Sequence, residues 1–298
     1  MEDPGAPPVG LAIDERLVRA LLAEQHPDLA ARSVRQVAEG WDNRIFRLGD
    51  DLAARLPRRV EAAHLLEHEL RWLPELAALV TGELAVPAPL RAGAPGCGFP
   101  WSWSIGPWLP GDVAARSPPD DLHEAAGRLG SFLRAFHRPA PADAPANPYR
   151  GIPLAERSER VDLHLATAAT RGIELDDERI RERWAALIAV PAWDHPPVWL
   201  HGDLHPRNLL VDGGRLSAVI DFGDLTSGDP ATDLAIGWML FDTASRVTFR
   251  DAVAVDDDTW SRGEGWAVAL SLAYLDNTDL PMTDVARTTL DALFDRPS

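Results

Sequence analysis

The sequence predicts an α+β protein built from two lobes, a β-rich first third followed by a mainly helical body. Three short strand patterns with glycine and polar corners lie between residues 34 and 56, and amphipathic helical patterns dominate after Gly111. A Pro-, Gly- and Trp-rich stretch without charge, residues 92–111, separates the two patterns. The chain of 298 residues is long enough for two modest domains, which we expect at residues 1–108 and 109–298.

The first third predicts a helix, a three-stranded meander, a second helix and a further strand. Leucines recur at helical spacing in the leading segment. The strands of the meander are joined by polar corners that contain glycine, which is typical of antiparallel hairpins. The predicted elements are, in chain order, helix 11–31, strands 34–37, 44–48 and 52–56, helix 61–72 and strand 102–108.

Beyond Gly111 the apolar pattern is mostly helical, and it is strongest in residues 121–137, where leucines and alanines form one stripe. A short apolar strand and a hairpin around an Asp-Gly-Gly turn interrupt the helices. The predicted helices are 121–137, 154–170, 177–190, 232–242, 262–276 and 284–294, and the predicted strands are 198–200, 209–211 and 216–220.

Composition limits the classes of function. The chain has 29 basic residues, all of them Arg, against 46 acidic ones, which gives a net charge of −17. An anionic protein repels phosphate backbones, so we expect no nucleic-acid partner, and cationic partners become favourable. The absence of Lys excludes a P-loop and Schiff-base chemistry. The single cysteine, Cys97, excludes an internal disulfide and a multi-cysteine zinc site.

No membrane segment is expected. The longest uncharged stretch, residues 92–111, contains four prolines and five glycines, so a spanning helix could not close its hydrogen bonds there. The N-terminus is acidic and Pro-rich and does not have the basic region of a secretory signal. We therefore expect a cytoplasmic protein that is a monomer or a weak dimer.

Residues 201–224 contain the candidate catalytic and metal-binding side chains. Asp203 follows a predicted buried strand, Asn208 lies five residues later, and Asp221 ends the hairpin strand whose partner begins directly after Asn208. A positioned carboxylate can accept the proton of an attacking hydroxyl, and hard oxygen ligands hold Mg²⁺ on phosphates. These oxygen donors have no thiolate or imidazole cluster around them, so they suit Mg²⁺ better than zinc. The pattern predicts phosphoryl transfer with Asp203 as the base and with Asn208 and Asp221 as metal ligands.

The run His-Gly-Asp-Leu-His at residues 201–205, with the Asn and Asp that follow it, resembles the aminoglycoside phosphotransferase family of small-molecule kinases. The resemblance extends over most of the chain, because residues 228–235 are similar to the helix start that follows the metal loop in that family. It implies a protein-kinase-like fold with a small β-sheet N-lobe and a mainly helical C-lobe. It also implies that ATP or GTP is the phosphoryl donor and binds between the lobes.

The resemblance also implies a set of nucleotide-binding residues. Residues 39–43 are similar to the loop that covers the nucleotide, and residues 52–57 to the strand with the phosphate-binding cation, where this chain has Arg in place of Lys. Residues 69–73 resemble the helix whose carboxylate pairs with that cation. Residues 102–111 resemble the hinge that receives the adenine or guanine base of the nucleotide. The nucleotide-binding residues so implied are Gly40, Asn43, Arg55, Glu69 and Trp108.

Several polar residues near the motif admit a structural interpretation. We expect His201 to anchor the loop through hydrogen bonds, and His137 to stabilise a helix C-terminus. Asp229 is well placed to cap a helix, and the resemblance implies that Asp233 braces the catalytic loop. Asp224 is a candidate substrate contact, and a solvated turn residue is the alternative.

The function that the resemblance implies is transfer of a γ-phosphoryl group to a hydroxyl of an aminoglycoside- or macrolide-like antibiotic. Acidic residues near predicted helix ends could bind ammonium groups of such an acceptor, although the acidic composition can equally reflect genome bias or solubility. One alternative is a metabolite kinase with a sugar, choline-like or homoserine-like acceptor, and another is a nucleotide-binding pseudokinase, which Arg55 keeps open. A hydrolase is disfavoured because no Gly-x-Ser-x-Gly elbow is present. The acidic residues considered for ammonium binding are Asp224, Glu264, Asp276 and Asp279.

Overall fold

The structure is a computed structural model that describes residues 12–40, 42–80, 82–275 and 280–294. The chain forms two compact units and passes between them more than once. The first unit contains the chain up to residue 79 together with 85–110 and 221–223, and the second contains 80–84, 111–220 and the chain from 224 onward. Trp41, Asp276 and Asp279, and the predicted helix start at Leu11, lie outside the described residues.

The first unit is built on a five-stranded antiparallel sheet flanked by two helices. The sheet has the strand order β1-β2-β3-β5-β4, so the predicted meander is continued by a hairpin from the Pro- and Gly-rich stretch. The sheet and one helix enclose an apolar core that includes Leu21, Phe46 and Trp103, each without exposed surface. The elements are α1 (Glu15–Gln25), β1 (Val34–Glu39), β2 (Asn43–Leu48), β3 (Leu52–Pro57), α2 (Val60–Leu79), β4 (Arg91–Gly93) and β5 (Trp103–Pro107).

Two helix ends in the first unit differ from the prediction for identifiable reasons. Helix α1 begins after Asp14, whose side chain caps Leu17 N–H, and it ends ahead of Pro27, since the residue before a proline disfavours helical geometry. Helix α2 continues past Pro74 to Leu79, where the prediction ended at residue 72. The continued turn buries Leu76, and this apolar contact offsets the hydrogen bond that the proline cannot donate.

The second unit is mainly helical and carries two small sheets. Helix α3 packs on α8, and the buried helix α9 contacts helices before and after it in the chain. The hairpin β8–β9 pairs with β6, and β7 pairs with β10. The elements are β6 (Asp112–Val113), α3 (Leu122–Phe136), α4 (Ser158–Thr170), α5 (Asp177–Ile188), β7 (Val198–Leu200), β8 (Leu209–Asp212), β9 (Arg215–Val219), β10 (Thr226–Gly228), α6 (Ala231–Leu234), α7 (Ile236–Leu240), α8 (Thr243–Val253), α9 (Asp257–Tyr274) and α10 (Leu280–Phe294).

Helix α8 was not predicted, and α9 begins five residues earlier than predicted. Both helices start at an aspartate that caps the first turn, Asp242 for α8 and Asp256 for α9, so a capping signal was present in the sequence. The predicted helix 232–242 is divided into α6 and α7. Within the described ranges, no helix combines the length and the apolar character needed to cross a bilayer.

Candidate active site

The loop after β7 holds Asp203 in a fixed backbone conformation. Strand β7 is fully buried and pairs with β10, which fixes the start of the loop. Gly202 has a φ of +85°, and a Cβ at this position would lie 2.2 Å from the carbonyl oxygen of Asp224. Only glycine fits this backbone, because other residues would be strained and would clash. The Gly of the His-Gly-Asp motif is therefore required by the packing of the loop.

Asp233 braces this loop from the next helix. Its Oδ2 accepts the backbone N–H of His201 at 2.8 Å, and its Oδ1 accepts that of Gly202 at 2.9 Å. His137 Nε2 lies 3.1 Å from Asp233 Oδ2. Burial acts to raise the pKa of Asp233, but the hydrogen bond from His137 and the neighbouring His201 lower it below the ordinary value. Asp233 therefore serves as a buried acceptor for two successive peptide groups.

Two histidines have side-chain contacts that hold this loop. His201 Nδ1 accepts the N–H of Asp203 at 3.2 Å, and its Nε2 donates to the carbonyl of Ile220 at 2.9 Å. These bonds fix one tautomer and match the anchoring role expected for His201. His137 was expected to stabilise the C-terminus of a helix. It lies at the end of α3, and its ring also contacts Asp233. The sequence could not show this contact, since the two residues are 96 positions apart.

The Asp203 carboxylate is held by three side chains. Arg150 Nη2 lies 3.1 Å and Tyr274 Oη 3.4 Å from its Oδ1, and His205 Nε2 lies 3.2 Å from its Oδ2. Burial acts to raise the pKa of Asp203, but His205 and then Arg150 hold it well below the ordinary value. The side chain keeps 26% of its surface exposed, so an acceptor hydroxyl can reach it. Sequence reasoning missed Arg150 and Tyr274, which carry no local motif.

Asn208 is oriented so that its amide oxygen is available to a cation. Its Nδ2 donates to the backbone carbonyl of Asp203 at 2.9 Å, and the backbone carbonyl of Asn208 accepts the N–H of Ile220 at 2.9 Å. Asp221 is the next residue in the chain. No group of three His, Cys, Asp or Glu side chains arranged for metal binding occurs in the part of the chain that the structure describes. An amide oxygen and a carboxylate are each hard donors of the kind that Mg²⁺ prefers.

In the first unit, Arg55 lies between two carboxylates. Its Nη1 donates to Oε2 of Glu69, and its Nη2 lies 3.6 Å from Oδ1 of Asp221. Glu69 is buried in α2, whereas 59% of the Asp221 side chain is exposed. Burial acts to lower the pKa of Arg55, but Glu69 and Asp221 outweigh it and raise the pKa. Arg55 therefore stays charged, and one of its two partners is accessible to solvent.

The backbone of Asp221 adopts the left-handed conformation, with a φ of +62°. Aspartate tolerates this region better than most residues, but it still costs about 1 kcal/mol or more. Strain of this kind is retained where the surrounding structure fixes a side chain in a required direction. Asp221 is one of three non-glycine residues with positive φ in the described part of the chain.

The other predicted nucleotide-binding residues also lie in the first unit. Gly40 and Asn43 close the turn between β1 and β2, where Gly40 N–H donates to the carbonyl of Asn43 at 2.9 Å. Trp108 follows β5, donates its backbone N–H to the carbonyl of Asp51, and has the Arg47 guanidinium 5.0 Å from its ring centre. These contacts define their positions and leave their roles in nucleotide binding as predictions.

Two of the four acidic residues considered for substrate binding, Asp224 and Glu264, are engaged within the second unit. Asp224 accepts Asn147 Nδ2 at 2.8 Å. Glu264 forms a bidentate ion pair with Arg183, at 2.6 and 2.7 Å. The predicted cap Asp229 accepts the N–H of Ala231 at 3.0 Å, and Arg262 pairs with it as well. The contacts of Asp224 and Glu264 therefore engage two carboxylates that the sequence left available for ammonium groups.

Comparisons with known proteins agree with this architecture. Two solved structures match nearly the whole chain, a GDP complex of an aminoglycoside 2′-phosphotransferase and a macrolide 2′-phosphotransferase from Brachybacterium faecium. The first has 18% identity and a TM-score of 0.67, covering 94% of this chain and 98% of that one. The second has 23% identity and a TM-score of 0.61, covering 96% and 99%. The predicted α+β, protein-kinase-like fold is therefore confirmed.

Sequence relatives point to the same group of proteins. Aminoglycoside 3′-phosphotransferases of Escherichia coli and Salmonella typhimurium are 28% and 27% identical to the chain over 176 residues. The match covers 57% of this chain and 60% of each relative, so the chain spans less than two thirds of the length of these relatives. The sequence model described as the phosphotransferase enzyme family matches residues 33–266, well over half of the chain. Together with the fold and the Asp203 loop, this match shows that the chain belongs to the phosphotransferase enzyme family.

Proposed function

We propose that the protein transfers the γ-phosphoryl group of ATP or GTP to a hydroxyl of a small molecule. The observation that carries this proposal is the Asp203 carboxylate, which is ionised, partly exposed and fixed by three side chains. Phosphoryl transfer requires little covalent chemistry from a protein, so a rigid carboxylate that orients the attacking hydroxyl is a principal requirement.

In this proposal Asp203 accepts the hydrogen bond of the acceptor hydroxyl and takes its proton. Its lowered pKa makes it a weak base before the reaction begins. The proton becomes acidic only as the oxygen bonds to phosphorus, which is late in a loose transition state. Asp203 therefore acts mainly by orienting the oxygen, and a positioned base of this kind supplies about 10²–10⁴-fold in rate.

Asn208 and Asp221 are the residues that would each supply an oxygen to Mg²⁺. The donor chemistry supports this assignment, because the Asn208 amide nitrogen is already used within the loop and Asp221 is exposed. When bound, Mg²⁺ neutralises the charge on the phosphate oxygens. Arg55 would contact the phosphates, since Glu69 holds one side of its guanidinium and leaves the other side toward Asp221.

The acceptor class that the relatives support is an aminoglycoside- or macrolide-like antibiotic, because the similar proteins carry those names. A second candidate is a metabolite kinase, and a specific observation favours it. The guanidinium of Arg150 contacts the Asp203 carboxylate. A cation at this position disfavours an acceptor whose ammonium groups would bind beside Asp203. Both candidates share the donor, the metal and the role of Asp203.

A coupled assay of ADP and GDP release tests the proposed function. The acceptors would be aminoglycosides, macrolides, sugars, amino alcohols and hydroxy acids, each with ATP and with GTP. We expect turnover with at least one acceptor, and for a charged acceptor a KM that rises with salt, since charge attraction is screened over about 8–10 Å. The same protein carrying Asp203→Asn serves as the matched control. Binding of Mg-nucleotide without turnover of any acceptor would refute the proposal and favour a pseudokinase.

A further inference from the structure

A short strap, residues 145–151, is bonded at both ends to the chain around β10. The carbonyl of Pro145 accepts a hydrogen bond from the hydroxyl of Thr226 at 3.0 Å. At the other end of the strap, the carbonyl of Gly151 accepts the N–H of Asp229 at 2.9 Å. Strand β10 pairs with β7, which leads directly into the loop of the proposed base. The strap is therefore fixed relative to that loop.

The strap has little conformational freedom between its two ends. It contains two prolines, whose rings fix φ. The side-chain oxygen of Asn147 accepts the N–H of Tyr149 at 2.8 Å, which closes a turn. Gly151 has a φ of +69°, and a Cβ at this position would lie 2.8 Å from Cδ1 of Leu200. Because only glycine fits there, the close packing of the strap on β7 is built into the sequence.

Two side chains of the strap reach carboxylates of the candidate site. Asn147 Nδ2 donates to Oδ1 of Asp224 at 2.8 Å, and Arg150 Nη2 lies 3.1 Å from Oδ1 of Asp203. The two aspartates belong to neighbouring segments, since a Cβ on Gly202 would lie 2.2 Å from the carbonyl oxygen of Asp224. One rigid segment therefore contacts both carboxylates.

Arg150 is a charged donor with a fixed position. Burial acts to lower its pKa, but Asp203, with Tyr274 and Asp224, outweighs burial and raises the pKa. Its side chain is 17% exposed, and its Nη1 donates to the carbonyl of Tyr149 within the strap at 3.3 Å. A charge-assisted bond from a planar guanidinium defines the orientation of the carboxylate that accepts it.

The donors around Asp203 are distributed unequally between its two oxygens. Oδ1 receives Arg150 and the hydroxyl of Tyr274, whereas the contact of Oδ2 within the described ranges is with His205 Nε2. His205 Nδ1 accepts the N–H of Arg207, so Nε2 carries the proton and is the donor to Oδ2. A carboxylate oxygen accepts about two hydrogen bonds. Oδ1 is therefore saturated, and Oδ2 can accept one more.

We propose that Arg150 is the positioning residue of the proposed base: the strap fixes Arg150, Arg150 fixes Oδ1 of Asp203, and the acceptor hydroxyl donates to Oδ2. This inference rests on the proposed phosphotransferase function. It deepens that function by naming the residue that orients the carboxylate and the oxygen that receives the hydroxyl. Arg150 acts through Asp203, so its loss is expected to lower kcat and to leave nucleotide binding unchanged.

Steady-state kinetics of Arg150→Met, with the acceptor found in the nucleotide-release assay, tests this role. The matched control is Arg160→Met, at an exposed arginine whose guanidinium lies 5.8 Å from the ring centre of Tyr149 in the strap. Arg150→Met is expected to lower kcat about 10²-fold, because a displacement of about 1 Å at a catalytic group costs that much. The KM for Mg-nucleotide is expected to stay within about twofold of the parent value. Arg160→Met is expected to keep both.

Three further measurements separate positioning from a general loss of structure. Arg150→Lys keeps the charge without the planar donors, and its kcat is expected to lie between those of the parent and Arg150→Met. Millimolar methylguanidinium is expected to restore part of kcat in Arg150→Ala, and sodium chloride at the same concentration is not. In a crystal structure of Arg150→Met, the Asp203 carboxylate is expected to leave its orientation in the parent, with the strap backbone unchanged.

Several outcomes would overturn the positioning role. A kcat of Arg150→Met within about threefold of that of Arg160→Met is one, and an unchanged Asp203 carboxylate in the crystal structure is another. A loss of kcat with an equal loss of nucleotide affinity and a lowered Tm, without rescue by methylguanidinium, would make Arg150 a structural residue. Absence of turnover by the parent with every acceptor would instead refute the proposed function, and the crystal structure of Arg150→Met would then decide the positioning role by itself.

Discussion

Replacing Asp233 by Asn separates the bracing of the catalytic loop from its chemistry, because Asp233 is fully buried and touches no part of the proposed acceptor contact. Asp233 accepts one backbone N–H on each oxygen, from His201 and from Gly202. In Asp233→Asn one of these N–H groups faces an amide NH₂, and the other bond loses its charge assistance. An unsatisfied buried donor costs about 1–3 kcal/mol, and the lost charge about 1 kcal/mol more.

We therefore expect Asp233→Asn to lose about 2–4 kcal/mol of unfolding free energy, measured by urea denaturation at pH 7. Turnover is expected to fall as well, since a displacement of about 1 Å at a catalytic group costs about 10²-fold. The control is Asp242→Asn, at the exposed N-cap of α8, where Asp and Asn are nearly equivalent. Equal stability and turnover of the two variants would refute the bracing role.

The pH dependence of this difference has a defined sign. The pKa of Asp233 is lowered in the folded protein, so its charge contributes stability above the ordinary pKa of 3.8, and this contribution is lost as the pH falls through the folded value. The stability difference between the parent and Asp233→Asn is therefore expected to be constant near neutral pH and to narrow in acid. A difference that widened on acidification would contradict the assignment.

The remaining predictions concern the residues of the proposed chemistry. Asp203→Ala is expected to lower kcat by about 10²–10⁴-fold while Mg-nucleotide binding is kept, and retention of kcat within about tenfold would remove Asp203 from the role of base. Asp221→Asn is expected to weaken the Mg²⁺ dependence of nucleotide binding, and an unchanged Mg²⁺ titration would leave Asp221 a strand-end residue. Arg55→Ala is expected to weaken binding of nucleotide triphosphate, and full affinity in this variant would show that the phosphates are held elsewhere.

Local patterns in the sequence predicted the framework of the fold well. The three strands of the meander, the hairpin and most helices depend on period and on turn residues, which neighbouring residues determine. The predictions were wrong for helices whose existence or ends depend on packing against distant residues or on a capping side chain. Helix α2 passes Pro74 because its apolar face is buried, and α8 is stabilised by packing on α3, a helix more than a hundred residues earlier.

The candidate site likewise contains residues that the sequence predicted and residues that it did not. Asp203, Asn208 and Asp221 lie within one strand-loop-hairpin segment, so their spacing already restricts them to one chemistry. Arg150 and Tyr274 lie 53 and 71 residues from Asp203, and no periodicity or motif marks them. Both were missed for that reason.

The sequence by itself determined the order of oxygen donors, the glycine that Asp203 needs beside it, and the absence of lysine at the position of Arg55. Only the tertiary structure decided which charges surround Asp203 and which carboxylates are already paired. The physical reason is that electrostatic interaction depends on distance in space and on burial, and neither follows from the spacing of residues along the chain. The contrast between the anionic chain and the arginine that contacts Asp203 is the result of that difference.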